Sequence, residues 1–77
     1  MMENEIIQFL KTELLIDAPL DSQTLLIKSG LLDSLQILSL IEFIETRFDC
    51  RFSEEEMVIA NFETIQAIET LIKNKKS

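Results

Sequence analysis

The sequence predicts an all-α protein, a small irregular four-helix bundle with three longer helices and one short helix. Apolar residues recur at spacings of three and four along most of the chain, as they do in amphipathic helices. We find no segment that sustains the apolar and polar alternation typical of a strand. Glycine and proline occur once each in 77 residues, so few positions suit tight turns. We expect a single domain over residues 1–77, because the chain is too short for a second core.

The first helix is predicted over residues 3–15. Its apolar face is formed by Ile6, Ile7, Leu10 and Leu14. Pro19 disfavours helical geometry in the residue before it, so the helix should end ahead of that point. The connection that follows is long, and we expect its apolar residues to pack it against the bundle. These residues are Leu25, Leu26, Ile27, Leu31 and Leu32.

The second helix is predicted over residues 34–48, behind a sharp turn at Gly30, the only residue that adopts positive φ freely. Asp33 is a favourable N-cap, and Gln36 stands three places later, at the spacing of a capping box. Ser34 is then the first helical residue. The core face of this helix is predicted to contain Ile37, Leu40, Ile41, Ile44 and Phe48.

Two further helices complete the bundle. Ser53 and Glu56 have the spacing of a second capping box and predict a short third helix over residues 54–59. Thr64 is a suitable N-cap for a last helix over residues 65–73. The buried row of the last helix is predicted to be Ile65, Ile68, Leu71 and Ile72.

The chain is strongly acidic, with 14 acidic and 7 basic residues and a net charge of −7. Three of the basic residues lie in a tail over residues 73–77, which we expect to be solvated. The acidic body would repel phosphates, which argues against nucleic acid and favours basic protein surfaces as partners. No apolar run is long enough to span a membrane, and the start lacks a basic signal-peptide pattern. We therefore expect a cytoplasmic protein, and a monomer.

The residue types argue against an enzyme. The sequence contains no histidine that could activate Ser34, so a hydrolase of the serine–histidine type cannot be assembled. The acidic run at residues 54–56 is typical of a solvated helix start rather than of an acid–base pair. With one cysteine and no histidine, the chain is short of zinc ligands. We expect no metal site, and we expect Cys50 to pack as a small apolar residue.

The second helix carries another face beside its first residue. On a helical wheel, Leu35, Leu38, Glu42 and Glu45 lie within about 100° of Ser34. They could belong to a wide buried face, but burying the two carboxylates without partners would cost several kcal/mol. An exposed docking face, on which the leucines anchor a partner, is therefore favoured.

One segment near the middle of the chain, residues 30–35, reads GLLDSL. In this acidic, helical context it resembles the acyl carrier and peptidyl carrier proteins, and the resemblance continues to the sequence FETIQAI at residues 62–68. The resemblance implies that a phosphopantetheinyl transferase attaches 4′-phosphopantetheine from coenzyme A to Ser34, beside Asp33. Acyl or aminoacyl groups would then be carried as thioesters on the thiol of this arm.

The resemblance also implies a docking face on the second helix for the basic patches of enzymes that load and unload the carrier. The matching residues are Leu35, Leu38, Glu42 and Glu45. Carriers of fatty-acid synthesis usually have acids two and five places after the serine, where this chain has Gln36 and Ser39. Arg47 also interrupts the acidic cluster. These departures favour a specialised acyl or aminoacyl pathway, with fatty-acid synthesis as the open alternative.

An alternative is an acidic helical module of another class, which binds a basic protein without any prosthetic group. In that interpretation Asp33 and Ser34 are simply an N-cap and the first residue of a helix. The two hypotheses differ in one observable: only a carrier gains mass on incubation with coenzyme A and a transferase.

Overall fold

The computed structural model describes residues 2–76. Its elements are α1 (Met2–Thr12), α2 (Ser34–Arg47), a 3₁₀ turn (Glu54–Glu56), α3 (Ile59–Phe62) and α4 (Ile65–Lys76). Turns and loops connect them, so the described residues form the all-helical bundle that was predicted. α1 packs against both α2 and α4, and α3 packs against α4.

The helices share one apolar core. Its buried members are Ile6, Leu10, Leu26, Leu32, Leu40, Ile41, Ile44, Phe62, Ile65, Ile68 and Ile72. Most of them belong to the predicted apolar faces of α1, α2 and α4, because residues three and four apart lie on the same side of a helix. The remaining members of these faces, Ile7, Leu14, Ile37, Phe48 and Leu71, are partly buried against the same core.

α1 ends at Thr12, so the predicted extent of residues 3–15 was wrong at its C-terminal end. Leu15 lies outside the helix with φ of +55°, a region that costs an L-residue about 1–2 kcal/mol. The Ile16 N–H donates to the carbonyl of Leu10 at 3.1 Å, and the Ile16 side chain packs against the core. The packing of Ile16 therefore ends α1 before the backbone restriction imposed by Pro19 is reached.

The connection between α1 and α2 is held by two leucines. Leu26 and Leu32 are 1% and 4% exposed, and the Leu32 N–H donates to the carbonyl of Leu26 at 3.0 Å. Ile27 and Leu31 are half-buried, whereas Leu25 is exposed, so its predicted burial was wrong. In this irregular segment adjacent side chains point to different sides, and only some can reach the core.

The third helical segment differs from the prediction of one helix over residues 54–59. Glu56 accepts a hydrogen bond from the Ser53 N–H at 2.8 Å, as the capping-box spacing predicted, but only a 3₁₀ turn follows. Met57 leaves helical geometry with ψ of +63°, and Val58 is extended and caps α3. The segment therefore forms two short pieces with a break between them.

α4 begins after Thr64, whose Oγ1 accepts from the Ala67 N–H at 3.0 Å in the predicted capping role. The helix continues to Lys76, beyond its predicted end at residue 73. Lys73 and Asn74 are exposed, as expected for a solvated tail, whereas Lys75 is half-buried; Ser77 lies outside the described residues.

Lys75 ties the end of α4 to the bundle. Its Nζ lies 2.8 Å from Glu56 Oε1 and 5.6 Å from the centre of the Phe52 ring. The hydrogen bond from Lys75, followed by that from the Ser53 N–H, lowers the pKa of Glu56 below its ordinary value. This interaction stabilises the fold at neutral pH and is lost as the pH falls through the lowered pKa.

Replacement of Gly30 should destabilise the protein through its backbone alone. Gly30 has φ of +83°, and a Cβ added there would meet no atom within 4 Å. Gly30→Ala should therefore lower the free energy of unfolding by about 1 kcal/mol. For a domain of this size that corresponds to a fall in Tm of about 4–8 °C in a thermal melt. Gly30→Asn should lose less, because asparagine tolerates this region; an alanine variant as stable as the wild type would contradict the interpretation.

Candidate functional site

Ser34 is exposed at the first position of α2, as predicted. Asp33 Oδ1 accepts from the Gln36 N–H at 2.8 Å, and Gln36 Oε1 accepts from the Asp33 N–H at 2.9 Å, so the predicted capping box is present. The cap holds the start of α2 in one conformation. The hydroxyl of Ser34 is therefore presented to solvent from a defined backbone.

The surroundings of Ser34 suit an anionic group on its hydroxyl. The first N–H groups of a helix lack intrahelical acceptors and carry the positive end of the helix dipole. In α2 the capping carboxylate of Asp33 accepts from the N–H of Gln36, and the N–H groups of Ser34 and Leu35 precede the first intrahelical donor. A helix start of this kind favours a phosphate.

The residues predicted to form a docking face do not all have the same environment. Leu35 and Leu38 are 75% and 50% exposed, and Glu42 is exposed as well. Glu45 is half-buried, and its carboxylate accepts from the Phe52 N–H at 2.9 Å. Glu45 thus holds the loop that follows α2, while the other three lie on the exposed surface of the helix that begins with Ser34.

Arg47 and Cys50 have structural surroundings. Arg47 forms an ion pair with Glu5 of α1, and its guanidinium lies 5.7 Å from the centre of the Phe48 ring. The interruption of the acidic cluster by Arg47 is therefore explained by the contact between α1 and α2. Cys50 packs against the core, as predicted, with its Sγ 3.9 Å from the carbonyl oxygen of Ile44.

An open apolar groove of about 460 Å³ runs beside Ser34. One side is lined by α2, and the other by Met57, Val58 and Ile59, which are 42%, 47% and 58% exposed. These three residues were predicted to lie in a single short helix, and their exposure was not predicted. A sequence signal was available, because three consecutive apolar residues directly follow the acidic run at residues 54–56.

No family model matches the chain. It is, however, 30% identical over 79 aligned positions to a curated protein of Serratia sp. (strain ATCC 39006), described as "Probable acyl carrier protein PigG". The alignment covers 100% of this chain and 91% of that protein. The chain belongs to the acyl carrier protein family. Its all-helical fold, with an exposed serine at the start of α2, agrees with this membership.

A solved structure is also similar to this acyl carrier protein family member. A chain of the structure described as "Crystal structure of FAD-dependent dehydrogenase" superposes with a TM-score of 0.76 and 31% sequence identity. The superposition covers 86% of this chain and 96% of the other.

None of the helices within residues 2–76 has both the length and the apolar character to cross a membrane. The longest, α2, has 14 residues, fewer than the roughly 20 that a spanning helix needs.

Removal of Glu45 and removal of Glu42 should affect the carrier differently. Glu45→Ala removes the acceptor of the Phe52 N–H and should lower the free energy of unfolding by about 1 kcal/mol. Glu42→Ala is the matched control on the same helix and should stay within about 0.5 kcal/mol of the wild type. Urea denaturation of both variants measures the difference, and equal stabilities would show that the Glu45 contact contributes nothing.

Proposed function

We propose that this chain is a carrier that holds acyl or aminoacyl intermediates as thioesters on a 4′-phosphopantetheine arm attached to Ser34. It passes them between cytoplasmic enzymes and performs no catalysis itself. The observation that carries the proposal is the exposed hydroxyl of Ser34 at the capped start of α2, in a member of the acyl carrier protein family. When attached, the arm supplies the thiol to which the carried group is bound.

The residues around Ser34 fit this prosthetic group. A phosphodiester needs an accessible hydroxyl, and Ser34 provides one. The helix start offers positive potential and N–H donors to its phosphate. Asp33 opposes a phosphate by charge, but its carboxylate accepts the Gln36 N–H and stabilises the helix that carries the serine. In this proposal, the residues of the chain hold the attachment point in place and leave the thiol end free to reach other proteins.

Partner enzymes are proposed to bind the surface around Ser34. Leu35 and Leu38 supply exposed apolar side chains, and Glu42 supplies a negative charge for basic patches. An enzyme that reaches the arm must approach this end of α2. Electrostatic attraction would speed the encounter, and a small contact area would permit quick release, which suits a shuttle that visits several enzymes. The first such partner is a phosphopantetheinyl transferase.

The structurally similar chain supports one class of enzyme as a later partner. It comes from a crystal structure described for an FAD-dependent dehydrogenase, which supports an oxidoreductase of that class acting on the carried group. The carrier itself is not proposed to bind FAD. A dinucleotide-binding domain of the doubly wound type requires a parallel sheet and a glycine-rich turn, whereas the part of this chain that is described has helices and loops, and a single glycine.

A specialised pathway is supported by two positions on α2. Gln36 and Ser39 stand where carriers of fatty-acid synthesis usually have acids. Gln36 is occupied in the capping box, and Ser39 is an exposed, uncharged residue. The start of α2 thus carries fewer negative charges near Ser34 than a carrier of fatty-acid synthesis usually has. This difference favours partners other than those of fatty-acid synthesis.

Modification of Ser34 is the direct test. Incubated with coenzyme A and a transferase of broad specificity, the wild type should gain the mass of one phosphopantetheine group. Ser34→Ala should stay unmodified, and Ser39→Ala, which removes another exposed serine of α2, should react like the wild type. Intact-mass spectrometry reads all three. A wild type that keeps its mass, while a control carrier is modified in the same mixture, would refute the carrier function.

The second candidate is an interaction module that binds a basic protein without a prosthetic group. The exposed leucines beside Glu42 favour it as much as they favour a carrier. The module requires that folded Ser34→Ala keeps full biological activity, and that Leu35→Ala abolishes it. Loss of activity in folded Ser34→Ala alone would leave the carrier as the remaining candidate.

Truncation of Leu38 should weaken recognition by the transferase. Leu38→Ala removes an exposed apolar anchor and should raise the KM for the carrier by about tenfold, the effect of a strong contact residue. Leu25→Ala is the matched control, because Leu25 is 47% exposed and Leu38 is 50% exposed, but Leu25 lies in the connection. Steady-state kinetics at low and high salt should show that the Leu38 effect persists in salt, whereas any effect of Glu42→Gln diminishes. Equal KM values for both leucine variants would exclude Leu38 from the docking surface.

A further inference from the structure

Glu63 is a charged residue that is buried in the fold, with 8% of its surface exposed. It lies at the corner between α3 and α4. Its Oε2 accepts from the N–H groups of Ile27 at 2.9 Å and Lys28 at 3.1 Å. Its main-chain carbonyl accepts from the Leu26 N–H at 2.7 Å. One residue thus binds three consecutive backbone N–H groups of the connection between α1 and α2.

Desolvation opposes the ionised form of Glu63, and hydrogen bonds to the connection offset it. Burial of a carboxylate is unfavourable unless hydrogen bonds compensate it. Among the described residues, Glu63 Oε1 is buried and has no hydrogen-bond partner. Burial raises the pKa of Glu63, but the hydrogen bonds from the Lys28 and Ile27 N–H groups outweigh it, so the pKa lies below its ordinary value. Glu63 is therefore a charged acceptor at neutral pH, and its hydrogen bonds fix the connection between α1 and α2.

The segment that Glu63 binds leads directly to Ser34. The connection is closed by the hydrogen bond between the Leu32 N–H and the Leu26 carbonyl, and Asp33 follows at once as the cap of α2. Ile27, whose N–H Glu63 binds, and Phe62, which directly precedes Glu63, both line the groove beside Ser34. The hydrogen bonds of Glu63 therefore join two walls of that groove.

We propose that Glu63 is a positioning residue for the modification of Ser34, through its hold on the connection; this inference rests on the proposed carrier function. A transferase requires the Ser34 hydroxyl within a fraction of an ångström of its reactive position. Without the anchor, residues 26–28 sample other positions and the groove changes shape. A smaller fraction of the carrier is then competent to bind, which raises the KM and leaves kcat nearly unchanged.

The experiment compares three variants of the full chain. Glu63→Ala removes the side-chain acceptor, and Glu63→Gln keeps an oxygen that the same two N–H groups can use. Ile72→Val is the control for general loss of stability, because Ile72 is fully buried in α4 and does not line the groove. The readouts are transferase kinetics and amide hydrogen exchange of the apo form.

Glu63→Ala removes the charged acceptor of two N–H groups. Relative to the core amides of α2, the amides of Ile27 and Lys28 should exchange at least about tenfold faster than in the wild type, since one charge-assisted hydrogen bond alone accounts for that factor. The KM of the transferase for the carrier should rise by at least about twofold, the value reached when half of the carrier remains competent to bind. Glu63→Gln should restore most of both values, and Ile72→Val should leave the KM unchanged.

Any of three results would overturn the role of Glu63. Two are kinetic: a wild-type KM in folded Glu63→Ala, or the same rise in KM in Ile72→Val. The third is unchanged exchange at Ile27 and Lys28 in Glu63→Ala. The exchange measurement needs no transferase, so it decides whether Glu63 holds the connection even if the wild type is not modified. If the wild type is not modified, the carrier function is refuted, and the exchange rates alone decide whether Glu63 holds the connection.

Discussion

Burial of branched aliphatic side chains between α1, α2 and α4 is the interaction on which the rest of the structure depends. Ile6, Leu10, Ile44 and Ile68 are essentially inaccessible to solvent, and they come from all three helices. Each side chain of this kind contributes about 1.5–3 kcal/mol on burial, against about 0.5–1.5 kcal/mol for a typical hydrogen bond. The polar contacts therefore decide where the helices begin and end, and the core decides that they assemble.

Given that core, α2 is divided into two sides with different roles. Leu40, Ile41 and Ile44 are buried, whereas Leu35 and Leu38 remain exposed on the side that carries Ser34. The helix is thus fixed through one side, and the other side faces solvent. Because the packed side sets the rotation of α2, it also sets the direction in which the serine is presented.

Features that depend on short-range sequence spacing were predicted, whereas features that depend on contacts between distant residues were not. The capping box of Asp33 and the cap at Thr64 depend on residues three places apart, so their spacing alone identified them. The bond of Glu45 to the Phe52 N–H depends on the path of a loop. The bonds of Glu63 to the connection join residues 35 and 36 positions apart in sequence, which no helical periodicity predicts. The exposed serine was therefore predictable, and the anchors that hold its surroundings were not.

The exposed apolar segment opposite α2 is a consequence of how the chain between α2 and α4 is held. Lys75 holds Glu56 at the end of the 3₁₀ turn, and Phe62 is buried at the end of α3. Between these two fixed points, the extended backbone of Val58 prevents one continuous amphipathic helix that could turn its apolar side inward. Met57, Val58 and Ile59 are left in solvent beside the groove, at a cost in stability that burial would have avoided. The break at Val58 therefore leaves an exposed apolar segment on the same groove that Ser34 lines.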